Sequence, residues 1–215
     1  MKTGILFDLD GTLLDSLPDL TDSVNYTLAH YGLPPRTEDE ISHFLGNGAL
    51  RLIQLSLPGE ATDPDPEEVL AFYQAYYRTH CNIKTAPYPG ILSAMKTLSE
   101  KYPLAIVTNK PHGAAVPLCK AQFGDVYALG VENDCPRKPA ADMVYKAMAA
   151  IGVERCVYVG DTEVDILTAK NANVPCLTVT WGYRKRAELL KAGAKYICDD
   201  PACLPQKIEE ILNGK

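Results

Sequence analysis

From Pro103 onward the chain repeats one rhythm: a short run of apolar residues, then a longer segment whose apolar positions recur every three or four residues. The runs Leu104 to Val107, Val126 to Val131, Cys156 to Val159 and Val174 to Val179 predict strands, and Gly4 to Leu9 predicts another near the start. Ala141 to Ile151 and Val164 to Ala172 place their apolar residues on one helical face. Strands that are apolar throughout, without polar alternation, suit a sheet covered on both faces. Strands alternating with helices predict βαβ units, hence an α/β fold around a parallel sheet.

Between about Asp15 and Thr85 the rhythm stops. Leu17, Leu20, Val24 and Leu28, then Val69, Phe72, Tyr73 and Tyr76, fall at helical spacing, and no strand pattern is visible. This predicts an all-helical module, residues 15–85, inserted into a core made of residues 1–14 and 86–215. The Pro-rich stretch Ala86-Pro87-Tyr88-Pro89-Gly90 marks its far edge, and Pro58 to Pro66 reads as a loop within it. The chain crossings near Leu13 to Ser16 and Thr85 to Gly90 would act as hinges.

Composition narrows the function classes. With 215 residues, 47% hydrophobic and 22% charged, the chain suits a folded soluble protein of one or two domains. A net charge of -6 gives no general attraction for nucleic acid or anionic lipid, so any anion must be held by locally placed cations or metal. No run approaches the ~20 apolar residues that cross a bilayer. The run Ile5 to Phe7 is cut by Asp8 and Asp10, unlike a signal-peptide core. The expectation is a cytoplasmic monomer or homodimer with no nucleic-acid or membrane partner. Seven cysteines lie scattered without a CxxC pair, which argues against zinc or a disulfide framework.

Two acidic motifs follow apolar strands. In Asp8-Leu9-Asp10-Gly11-Thr12, residues two apart on an extended segment point the same way, so Asp8 and Asp10 face one site at a strand's carboxyl end. Gly11 permits a sharp departure. A calcium loop of the EF-hand type would need Gly at its sixth position, where Leu13 stands. In Gly160-Asp161-Thr162-Glu163-Val164-Asp165, the two aspartates are one helical turn apart and share a face, although Asp161 alone also suits a helix N-cap. Carboxylates gathered from two strand ends repel each other, and a hard divalent cation such as Mg2+ holds them together. Thr108-Asn109-Lys110 ends a third strand, and Lys138 lies in Cys135-Pro136-Arg137-Lys138-Pro139-Ala140. Taken alone, Thr108 reads as a helix cap and Lys138 as a solvated loop residue.

Taken in order, DLDGT, IVTNK, RKPA and GDTEVD resemble the four motifs of the haloacid dehalogenase superfamily across the whole chain. The insertion after the first motif resembles the cap of the subgroup that contains phosphoglycolate phosphatases and β-phosphoglucomutases. The resemblance implies a Rossmann-like parallel sheet core beneath a mobile, inserted all-helical cap. It also implies a Mg2+-dependent phosphatase that hydrolyses a small phosphorylated metabolite through an aspartyl phosphate on Asp8. Asp10 would protonate the leaving alkoxide and then deprotonate water. Lys138 would offset the like charge of nucleophile and phosphate, and Thr108 and the Asn109 amide would bind phosphoryl oxygens. Gly11, Thr12 and Lys110 would border the substrate. The metal would meet Asp8, the Asp10 backbone carbonyl and Asp161, with Asp165 nearby or acting through water. Because dehalogenases and phosphonate-cleaving members generally lack Asp10, these readings fall away. A phosphosugar mutase, a pyrophosphatase and an idle phosphate-binding protein stay open.

The segment Phe44 to Arg51 contains a GxG, but no strand precedes it and Arg51 stands where a dinucleotide fingerprint needs a small residue. Its LGNGA is similar to the substrate-closing loop of phosphoglycolate phosphatases, which makes Gly48 and Arg51 candidate substrate contacts. Arg51 reads equally well as a solvent-facing residue. The basic triplet Arg184-Lys185-Arg186 reads as the solvated start of a helix, and Tyr88 and Tyr183 as ordinary packing aromatics.

Overall fold

The computed structural model describes residues 2–59, 64–132 and 134–214. By contact density the chain divides into two compact units, residues 1–15 with 87–215, and residues 16–86.

The first unit is built on the strands β1 (Thr3–Phe7), β4 (Leu104–Pro111), β5 (Tyr127–Val131), β6 (Arg155–Gly160), β7 (Cys176–Val179) and β8 (Tyr196–Cys198). They pair in parallel in the order β5-β4-β1-β6-β7-β8. Two two-residue strands, β2 (Leu14–Asp15) and β3 (Ala86–Pro87), form a separate small sheet. The α/β class read from the apolar runs is the one the chain adopts. Both sheet faces are covered, and the side chains sort alternately. Ile5, Phe7, Ile106, Val157 and Val159 join one buried cluster with Ile91, Met95, Leu118, Leu204 and Ile208. Leu6, Ala105, Val107, Cys156 and Tyr158 join the other, with Met143, Val144 and Ala147. The first face is covered by α5 (Ile91–Ser99), α6 (His112–Phe123) and α10 (Leu204–Leu212), the second by α7 (Asp142–Ala150) and α8 (Glu163–Asn171).

The strand order reverses about β1: the chain runs outward through β4 and β5, then returns to β6 on β1's other side. Ligand sites of open α/β sheets form at the carboxyl ends of strands beside such a reversal. The strand read as ending at Val107 continues to Pro111, with a register shift against β5 between Val107 and Pro111. Its polar tail, Thr108 to Lys110, is therefore strand and not loop.

The second unit contains α1 (Leu17–His30), α2 (Glu38–Phe44), α3 (Ala49–Ser56) and α4 (Pro66–His80). Leu20, Val24, Leu28, Ile41, Leu52, Ile53, Val69, Tyr73 and Tyr77 form its core. The inward set expected on α4 is corrected at two places, because Tyr77 packs inward while Phe72 and Tyr76 do not. Phe72 stacks on His30 at 4.1 Å, and Tyr76 lies between Tyr26 at 3.9 Å and His80 at 3.7 Å. Aromatic rings satisfy an apolar pattern on either face, so spacing alone chose the wrong one. Asp19, in the first turn of α1, accepts hydrogen bonds from the amides of Ile83, Lys84 and Thr85 and from the Thr85 hydroxyl, at 2.7 to 3.0 Å. Burial opposes its charge, but these donors hold its carboxyl below the ordinary range. Of the loop read at Pro58 to Pro66, residues 60–63 lie outside the described residues.

Candidate active site

The ends of β1, β4 and β6 bring the four motifs together within the α/β unit. Asp8 follows β1, with its amide bonded to the Val159 carbonyl at 2.8 Å. The chain then turns sharply, the amides of Leu13 and Leu14 both returning to the Leu9 carbonyl. Gly11 sits in this turn at φ 86°, and a Cβ there would run into the Asp161 carboxylate. Thr12 uses its hydroxyl to hold Asp161 Oδ1 at 2.8 Å, so it supports the acidic residue. The other Asp161 oxygen accepts the Tyr183 amide at 2.8 Å. Trp181 Nε1 fixes the Thr12 carbonyl at 3.0 Å.

After β6, the helix cap is Thr162 and not Asp161. Asp165 completes the capping box, its Oδ2 accepting the Thr162 amide at 3.1 Å and hydroxyl at 2.8 Å. A Cβ on Gly160 would overlap Asp165, so the glycine permits this close fold-back. The remaining Asp165 oxygen meets Lys138.

Lys138 is the hub. Its ammonium lies 2.7 Å from Asp8 Oδ1, 2.8 Å from Asp165 Oδ1 and 3.0 Å from the Tyr158 hydroxyl, which in turn donates to the Val107 carbonyl at 3.2 Å. The backbone of Lys138 is gripped by the Asn109 side chain, whose Nδ2 donates to its carbonyl at 3.0 Å and whose Oδ1 accepts its amide at 2.9 Å. A lysine that reads as a solvated loop residue is thus 3% exposed. Burial alone would push its ammonium down, but Asp165 and Asp8 more than offset this and hold it well above the ordinary lysine range.

Asp8, Asp161 and Asp165 each offer an oxygen within 4.8 Å of the others, and all three are buried. Burial pushes the Asp8 carboxyl up to about 7, against the lowering pull of Lys138, with Asp165 adding to the rise. Burial likewise pushes Asp161 well above the usual range, and Asp165 and Asp8 push it further. One ammonium cannot neutralise three buried carboxylates, and a hard, oxygen-only donor set of this kind suits a divalent cation. Among the residues expected at the metal, the Asp10 side chain stands apart from this trio: its carboxylate meets Lys110, at 2.9 and 3.1 Å. Thr108 is buried and its hydroxyl accepts the Lys110 amide at 3.2 Å.

Three features escaped the sequence reading. Tyr158 looked like one more apolar strand residue, although a tyrosine buried in an aliphatic run needs a partner for its hydroxyl, which is the signal that was there. Arg184, read with the solvated triplet, is instead 7% exposed and pairs with Glu163 at 2.8 Å, while Lys185 and Arg186 are exposed as expected. Tyr183 serves the site through its amide, which donates to Asp161. Gly48 and Arg51 belong to the helical unit, where Gly48 precedes α3 at φ 82° and Arg51 is exposed.

The family model described as haloacid dehalogenase-like hydrolase matches residues 5–179. A phosphoglycolate phosphatase of Agrobacterium fabrum is 34% identical over 226 aligned positions, covering 98% of this chain and 94% of that protein. One from Cereibacter sphaeroides is 38% identical, covering 84% and 86%. Among solved structures, a Lactobacillus delbrueckii protein whose phosphoglycolate phosphatase name is provisional superposes with a TM-score of 0.89 at 35% identity, covering all of both chains. A haloacid dehalogenase-like family hydrolase from Streptococcus pneumoniae gives 0.85 at 28% identity, covering 95% and 97%.

Proposed function

Because the chain belongs to the haloacid dehalogenase-like hydrolase family, we propose that it is a Mg2+-dependent phosphatase that takes a small phosphomonoester, of the kind its relatives' name, phosphoglycolate phosphatase, describes. The observation that carries this reading is the Lys138 ammonium bridging Asp8 and Asp165, beside a third buried carboxylate, at the carboxyl ends of β1 and β6.

The chemistry follows from charge. A carboxylate oxygen of Asp8 attacks phosphorus, and the bond to the ester oxygen breaks with its electron pair going to that oxygen, which takes a proton from Asp10. Water then attacks the phosphorus of the aspartyl phosphate, Asp10 accepts the proton, and the phosphorus bond to Asp8 breaks to release phosphate and restore the carboxylate. Lys138 offsets the repulsion between an anionic nucleophile and an anionic ester. The Thr108 hydroxyl, whose lone pair takes the Lys110 amide, keeps its own proton for a phosphoryl oxygen. Asp8, Asp161 and Asp165, with the Asp10 carbonyl, would hold the cation, which when bound supplies positive charge to the phosphoryl oxygens. In the helical unit, Arg51 and the backbone at Gly48 are assigned to the part of the substrate beyond the phosphate, Arg51 to a carboxylate there.

The test is phosphate release from p-nitrophenyl phosphate and from a panel holding phosphoglycolate, sugar phosphates, nucleoside monophosphates and pyrophosphate. Turnover in Mg2+ that stops in EDTA and in Asp8→Asn is expected. No release from any ester, or full turnover by Asp8→Asn, would overturn the reading, and isomerised β-glucose 1-phosphate without net phosphate would make the protein a mutase.

A further inference from the structure

We propose that Lys110 is a positioning residue for Asp10, holding by its ammonium the carboxylate that passes protons to the leaving oxygen and from water; this rests on the function proposed above. Lys110 Nζ lies 2.9 Å from Asp10 Oδ1 and 3.1 Å from Oδ2, so one cation straddles both oxygens. The two residues are 100 positions apart, Lys110 at the end of β4 and Asp10 in the turn after β1. In this pair the lysine side chain is 3% exposed and the aspartate 18%. The cation is sheltered while the carboxylate retains an opening.

The backbone beneath Lys110 is fixed from two directions. Its amide donates to Thr108 Oγ1, and its carbonyl stands where a Cβ on Gly130 would come to 2.6 Å, so β5 approaches β4 there by virtue of that glycine. The four-carbon side chain thus starts from a held backbone, and because it is only 3% exposed its head is confined by the packing around it. Acid-base transfer requires the exchanging group within hydrogen-bond reach of the proton in both half-reactions. A carboxylate that keeps an opening to solvent would otherwise spend time rotated away. The ammonium expected to meet substrate is engaged with the residue that acts on the substrate.

The experiment compares the parent with Lys110→Met across phosphomonoesters of graded leaving-group basicity, from p-nitrophenyl phosphate to simple alkyl phosphates, at saturating Mg2+. A nitrophenolate leaves without a proton, whereas an alkoxide needs one. The variant is expected to lose about tenfold or more extra kcat/KM, which reports the transfer to Asp8 and not the later hydrolysis, on the alkyl esters relative to the nitrophenyl ester. Lys110→Arg is expected to fall between the two. In an Asp10→Asn background, Lys110→Met is expected to add no further loss. Equal loss along the series overturns the proposal, as does additivity with Asp10→Asn. A KM rise confined to esters carrying a carboxylate also overturns it, because Lys110 would then bind substrate. Should the Met variant not fold, Lys110→Gln gives the same comparison. Parental turnover that depends on Asp8 tells a failure of this inference from a failure of the function on which it rests.

Discussion

The side chain of Asn109 and the main chain of Lys138 are joined by two hydrogen bonds running in opposite directions, at 3.0 and 2.9 Å. The residues are 29 positions apart, yet the amide imitates a strand neighbour and fixes where the lysine begins its reach toward Asp8. Asn109→Ala leaves a buried amide and carbonyl without these partners, which costs about 1–3 kcal/mol for each group left unsatisfied. A lower denaturation midpoint and a kcat reduced by about tenfold or more, from the loosened lysine, are expected. Stability loss with unchanged kcat would mean that the clamp serves the fold only.

Tyr158→Phe removes the hydroxyl that supports the Lys138 ammonium and donates to the Val107 carbonyl. The two carboxylates on Lys138 remain, so the effect should be smaller: about 1–2 kcal/mol in urea unfolding and a modest fall in kcat. A loss as large as that of Lys138→Met would show that the tyrosine participates in the chemistry.

The metal-free protein should weaken as pH rises. The folded Asp8 value is raised from 3.8 to about 7, so the folded chain holds that proton more tightly than the unfolded chain does. Its contribution is fully present below the ordinary carboxylate value and is lost as pH climbs through about 7, and Asp161 acts in the same direction. Melting temperature in EDTA should therefore fall between about pH 5 and about pH 8, and Mg2+ should restore most of it at the upper end while releasing protons. Identical pH profiles with and without Mg2+ would count against a cation among these carboxylates.

Gly182→Ala tests the Asp161 support directly. A Cβ there would overlap the Gly11 carbonyl and the Asp161 carboxylate. Displacing a residue that holds a ligand typically weakens metal affinity by about 10–100-fold. The Mg2+ concentration for half-maximal activity should rise by that order, with kcat partly recovered at high Mg2+. An unchanged Mg2+ requirement would remove Asp161 from the metal site.

The acidic trio and its strand ends were legible because an apolar run followed by carboxylates is a local signal, carried within six residues at Gly160 to Asp165. The same holds for the α/β class, since buried parallel strands are apolar throughout. What stayed hidden depends on contacts between distant segments. Thr12 gives no sign that it serves Asp161, 149 residues away, nor Asn109 that it grips Lys138. Helices α5, α6 and α10 were not read either. In α6 an internal Pro117 interrupts the pattern, and α10 buries only Leu204 and Ile208, whereas α5 carried a readable stripe in Ile91, Ala94, Met95 and Leu98. Lys138 shows the limit plainly: its burial is created by partners contributed from three other segments, so nothing beside it in the chain announces it.

Asp19 ties the outgoing residues Ile83 to Thr85 to the first turn of α1, so the helical unit is fastened near both of its ends by one carboxylate. A segment whose two ends are stapled together is a cassette. It can be exchanged for another of different length or shape while the chain of the α/β unit leaves at Asp15 and resumes at Pro87.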